Sequence, residues 1–106
     1  MKTEIQAIVS EFREYLEELY GGRLIQILLF GSQVRDDAVP GSDIDILVVL
    51  KGIVNPGKEI ARTGEKAADI SLRNDMVISC TFISEKRFNT ERSPLLINVR
   101  REGVTA

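Results

Sequence analysis

The chain has 106 residues, 43% hydrophobic and 28% charged, the balance of a soluble globular domain with length for one core and not two. Fourteen Lys and Arg against sixteen Asp and Glu leave a net charge of −2, which excludes a domain held to nucleic acid by a broad basic surface. Histidine is absent and Cys80 is the single cysteine, which removes Ser-His-Asp and Cys-His catalysis, histidine zinc sites and an internal disulfide. The first residues, MKTEIQAIVSEF, hold no apolar block ahead of a cleavage site, and no segment approaches the roughly 20 apolar residues of a membrane span. A cytoplasmic protein is expected, with chemistry left to carboxylates, hydroxyls, backbone amides, Arg and Lys.

Ile5, Ile8, Val9, Phe12, Tyr15, Leu16 and Leu19 follow a helical period, with Thr3 as the expected cap and Gly21-Gly22 as the stop. Arg23 to Phe30 reads as a buried strand that stops at Gly31-Ser32. Gln33 to Ser42 is polar, contains Pro40-Gly41, and reads as a short helical turn followed by a loop. Asp43 to Leu50 is a second buried strand. Asn55-Pro56 opens a helix expected to run to about Leu72, with Ile60, Gly64, Ala67 and Ala68 facing inward. Met76 to Ile83 is a third strand. Ser84 caps a short helix, and Ser93-Pro94 opens another that ends near Gly103. The expected architecture is an α/β domain over residues 1–106, with a small sheet whose strand ends hold the chemistry.

Asp43 and Asp45 lie two apart at the start of a strand, so their carboxylates share a face about 6–7 Å apart at the backbone. Two like charges on an apolar strand require pairing or a cation, and oxygen ligands without His or Cys suit a hard ion such as Mg²⁺. Gly31-Ser32 follows a strand and opens a helical turn. Glycine admits a phosphate to the backbone, the Ser32 hydroxyl can bond it, and the N–H groups at a helix start attract anions. A phosphate-binding turn joined by a loop to an acid-bearing strand outlines a phosphoryl or nucleotidyl transfer site. Other acid-pair motifs fit worse: the apolar run follows the acids rather than preceding them, no Gly-Lys-Ser/Thr loop is present, and Leu47-Val48 stand where a calcium loop needs oxygen and glycine.

Gly-Ser, ten intervening residues, then Asp-x-Asp and an apolar strand resembles the signature of the DNA polymerase beta-like nucleotidyltransferases, and within them the minimal nucleotidyltransferases of prokaryotes. The likeness is tight over residues 29–50. The family's Gly-Ser-x-Ala-Arg-Gly lies over Gly31-Ser32-Gln33-Val34-Arg35-Asp36, with Arg35 matching and Asp36 replacing a glycine, and Ser42-Asp43-Ile44-Asp45 matches its Ser-Asp-Ile-Asp core. The resemblance implies a small mixed sheet flanked by helices, the polymerase beta palm-like fold. It also implies Asp43 and Asp45 as catalytic, metal-binding residues and Gly31, Ser32, Arg35 and Ser42 as nucleotide-binding ones. Two Mg²⁺ ions would hold the triphosphate for in-line attack of an acceptor hydroxyl on the α-phosphate, as in transfer of AMP from ATP. A HEPN-type protein partner, as in toxin–antitoxin pairs, or a homodimer would supply acceptor specificity.

One element departs from the pattern. The family's third carboxylate lies a few residues before the Ser/Thr cap that follows the next strand, and counting back from Ser84 reaches Ser79, a neutral residue. A missing third ligand points to the alternative function, a catalytically weakened nucleotide-binding or regulatory module acting through a HEPN-type partner. Simpler roles stand beside the functional ones: Arg35 paired with Asp36, Asp37 or Asp43, Ser42 as a turn residue, Asp75 as a cap, Asp69 in solvent, Cys80 as a small core residue, and Tyr15 and Tyr20 as packing residues.

Overall fold

The computed structural model describes residues 2–35 and 41–106. Helix α1 (Thr3–Tyr20) presents Ile5, Ile8, Val9, Phe12, Leu16 and Tyr20 as one buried stripe. Thr3 is its first helical residue rather than its cap; Lys2 holds the cap position without a side-chain bond. Gly21, at φ +53°, leads through a short 3₁₀ turn into strand β1 (Leu24–Phe30). A single helical turn, α2 (Ser32–Arg35), follows. The expected loop after it, Asp36 to Pro40, lies outside the described residues. Strand β2 (Ile44–Leu50) starts one residue later than expected, so Asp43 immediately precedes it.

Helix α3 (Pro56–Asn74) is capped by the Asn55 side chain, which accepts the N–H of Lys58 at 3.2 Å. It runs two residues beyond the expected end, and Asp75 closes it in the left-handed conformation at φ +52°. Strand β3 (Ile78–Ser84), helix α4 (Glu85–Thr90) capped by Ser84, and helix α5 (Pro94–Glu102) capped by Ser93 complete the expected series. A two-residue strand, β4 (Val104–Thr105), was not legible: so short a segment has no measurable period, and its pairing with Leu28 and Leu29 of β1 makes it a strand.

The sheet order is β3-β2-β1-β4. β1 runs antiparallel to β2 and β4, while β2 and β3 are parallel and joined through α3, the long crossover that parallel strands require. The sheet is therefore mixed and buried on both faces. On one face Ile44, Ile46, Val48 and Leu50 pack against Phe12 and Leu16 of α1 and Ile70 of α3. On the other, Leu47 and Val49 meet Leu96 and Val99 of α5. Each fully buried aliphatic or aromatic side chain here contributes about 1.5–3 kcal/mol relative to exposure.

Helix α3 is rotated from the expected setting. Glu59, Thr63 and Ile70 are its buried residues; of the four expected inside, Ala67 packs half-buried against the core and Gly64 is half-buried, whereas Ile60 and Ala68 are exposed. The buried Glu59 carboxylate makes this possible, because it accepts the Tyr20 hydroxyl at 2.7 Å and pairs with Arg62 at 3.4 Å. Among the described residues no helix is long and apolar enough to cross a membrane.

Candidate functional site

Three segments meet where β1 ends and β2 begins. Phe30, the last residue of β1, pairs with Asp45 in the antiparallel ladder, and Ser79 pairs with Asp45 in the parallel one. Directly paired residues carry their side chains on one face, so Phe30, Asp45 and Ser79 form a row across the sheet on the α5 side. Ile44 between the two acids is fully buried on the opposite face, and its N–H donates to the Val77 carbonyl at 2.8 Å. Ser79 is exposed, as is Asp43; Asp45 is half-buried.

Gly31 sits at φ +81°, and the Asp45 carboxylate lies against its Cα so closely that a methyl group there would overlap the carboxylate oxygen. Backbone conformation and space thus both demand glycine at this position. The sequence assigned Gly31 to the close approach of a phosphate; within the chain itself, it admits Asp45.

The Gly31 carbonyl accepts the N–H groups of Val34 and Arg35 at 3.1 and 3.3 Å. The N–H groups of Ser32 and Gln33 are therefore the pair at the open start of the turn. With one turn of helix, those two donors matter more than any macrodipole. Gln33, which sequence reasoning passed over, is buried and donates through Nε2 to the Ser42 carbonyl at 3.3 Å. It ties the Gly-Ser turn to the residue before Asp43. Its only advance signal was a polar residue where a short turn faces inward.

Arg35 bridges α2 to α5 through Nη1 and Glu102 Oε2 at 3.1 Å. Of the partners anticipated for it, Asp36 and Asp37 lie outside the described residues. The bridge is half-exposed, and such pairs contribute about 1 kcal/mol or less. Burial raises the pKa of Asp45, the charge of Asp43 raises it further, and the charge of Arg35 opposes both.

A half-buried carboxylate beside a second negative charge favours a counter-charge. The donors on hand, two carboxylates and a hydroxyl without His or Cys, suit a hard divalent cation that takes its remaining ligands from phosphate and water. Among the described residues no group of three or more Asp, Glu, His or Cys could hold a metal ion. Asp75 is the α3 cap and Asp69 pairs with Arg73 on the surface, so neither is turned to this task.

The chain matches the nucleotidyltransferase domain over residues 9–99, a span that takes in the Gly31-Ser32 turn, both acids and Ser79. It belongs to that family. Protein adenylyltransferase MntA of Thermococcus cleftensis is 36% identical over 81 residues, covering 76% of this chain and 80% of its own length. MJ1305 of Methanocaldococcus jannaschii, provisionally named a protein adenylyltransferase, is 32% identical over 93 residues, 88% of this chain. The chain spans 54% of that relative's length. A crystal structure of a Sulfolobus solfataricus protein, provisionally named a nucleotidyltransferase, superposes with a TM-score of 0.64 at 22% identity, over 96% of this chain and 78% of that one. A chain of a toxin–antitoxin complex crystallised with AMP-PNP gives 0.62 at 23% identity, over 90% and 69%. These likenesses establish the nucleotidyltransferase fold.

Proposed function

We propose that this chain binds a nucleoside triphosphate with Mg²⁺ and transfers a nucleotidyl group, AMP from ATP, to a hydroxyl on a partner protein in the cytoplasm. The observation that carries this reading is the contact between Gly31 and Asp45, which sets the Gly31-Ser32 turn directly against one of the two carboxylates. Its family, and relatives named protein adenylyltransferases, support the reaction class and a protein acceptor. The N–H groups of Ser32 and Gln33 and the Ser32 hydroxyl bind phosphate oxygens, and Ser42 borders them. Arg35 exchanges Glu102 for a phosphate. Asp43 and Asp45 hold the cation, which supplies charge neutralisation at the triphosphate and the departing pyrophosphate. The rate gain comes from positioning and from charge placed in advance.

A second reading is favoured by Ser79. A neutral side chain in register with Asp45 stands where the resemblance puts a third carboxylate. With that ligand missing, the chain would be a nucleotide-binding regulatory half of a toxin–antitoxin pair, acting through a HEPN-type partner.

Labelled ATP separates the two. Under the first reading, label from the α-phosphate appears on a co-expressed partner with Mg²⁺, and Asp43→Asn with Asp45→Asn abolishes it while circular dichroism stays native. Binding without transfer selects the second. If the double variant unfolds and the wild type binds no nucleotide, the pair is structural and both readings fail.

A further inference from the structure

Glu102 stands 67 positions beyond Arg35 in the chain, and in the fold it accepts a hydrogen bond from the Arg35 Nη1 at 3.1 Å. A carboxylate and a phosphate offer a guanidinium the same kind of oxygen, so Glu102 fills a place that a phosphate can take. The backbone that carries it is held from both sides. Before it in α5, Leu96 and Val99 are buried against Leu47 and Val49 of β2. After it, the Gly103 N–H donates to the Val99 carbonyl at 2.7 Å, Val104 pairs with Leu29, and the Ala106 N–H donates to the Ile27 carbonyl at 2.9 Å. Gly103 is confined as well, because a Cβ there would overlap the Val99 carbonyl. A ligand that takes Arg35 therefore draws it away from a fixed partner.

We propose that Glu102 is a specificity-determining residue of this site: it competes with phosphate for Arg35, so that a chain of phosphates displaces it and a single phosphate does not. The inference rests on the nucleotide-binding reading of Arg35 and adds what sets the affinity. The bridge is one hydrogen bond between side chains 46% and 29% exposed. A phosphate group brings more charge and can take the guanidinium through two parallel bonds. A carboxylate that stayed on the same guanidinium would stand against the incoming phosphate charge and repel it, so exchange is favoured over sharing. Length enters through α2. Ser32 and Arg35 are its two ends, a rise of about 4.5 Å apart. Phosphates laid along the turn meet both ends, whereas one phosphate held at Ser32 leaves Arg35 with Glu102.

Calorimetric titration with ATP and Mg²⁺, and separately with AMP, tests this in the wild type, Glu102→Gln, Arg35→Gln and the double variant, each shown to unfold cooperatively. Glu102→Gln is expected to bind ATP about two- to fivefold more tightly, the range an exposed ion pair supports, and to bind AMP as the wild type does. Arg35→Gln is expected to bind ATP more weakly, and adding Glu102→Gln to it changes nothing further. Weaker ATP binding by Glu102→Gln overturns the proposal, because Glu102 would then orient Arg35 toward the phosphate; unchanged binding overturns it as well. A gain shared equally by AMP, or one that persists without Arg35, overturns it as general relief of like charge. A wild type that binds no ATP defeats the nucleotide reading instead. Inorganic tripolyphosphate then decides the competition by the same four proteins: tightening by Glu102→Gln that needs Arg35 upholds it, and any other result overturns it.

Discussion

At Gly31 two demands coincide: φ is +81°, and the Asp45 carboxylate fills the space a Cβ would need. Gly31→Ala must relieve both, and the backbone alone costs about 1–3 kcal/mol. The expected outcome is a lower urea midpoint together with weakened triphosphate binding; unchanged stability would mean that the turn relaxes and that the contact with Asp45 is loose. Asp45 carries a pH signature of its own. Its pKa is raised in the folded chain, first by burial and then by Asp43, so the folded state holds this proton more tightly than the unfolded one. The group's favourable contribution is present at low pH and is lost as pH rises through the raised folded-state value. Without a divalent cation, Asp45→Asn is therefore more stable than wild type at neutral pH, and the advantage shrinks on acidification. Denaturant titrations across that range measure it, and a pH-independent difference would refute the account. Cys80 is the quiet counterpart. Burial pushes its thiol up to about 12, so it remains protonated, in keeping with the packing role its sequence context suggested.

Among the elements, β3 and α3 divide what could be read in advance from what could not. Counting back from the Ser84 cap reached Ser79, and the ladder pairs that residue with Asp45. Local cues sufficed because a cap and a strand are both short-range features. Ser79→Asp follows from that register. It should tighten Mg²⁺ binding measured by calorimetry, yet lower the melting temperature when no ion is present, because three carboxylates would then crowd one face. A serine unrelated to the site would show neither change. The rotation of α3 was hidden because a helical wheel sends Glu59 to solvent. Tyr20 on α1, 39 positions away, supplies the hydrogen bond that makes its burial tolerable, beside the local pair with Arg62.

For the whole molecule, the candidate site exists only as an assembly of the end of β1, the turn of α2 and the start of β2, braced by Gln33 and bordered by β3. On the proposed reading the two carboxylates take the cation and the Gly31-Ser32 turn takes phosphate oxygens, so each ligand completes the other's site. ATP and Mg²⁺ together should raise the melting temperature by more than the sum of their separate shifts. Equal shifts from ATP with and without Mg²⁺ would rule out a shared site.

Sequence by itself determined the kinds of element and most of their bounds to within two residues, and singled out Gly31, Ser32, Asp43 and Asp45 as candidates, because periodicity, caps and motif spacing are properties of short windows. Tertiary structure decided which strands neighbour Asp45, that Arg35 reaches Glu102, that two residues after α5 become a strand, and which face of α3 is buried. Those outcomes rest on contacts between segments dozens of positions apart, whose energies appear only once the chain has closed on itself.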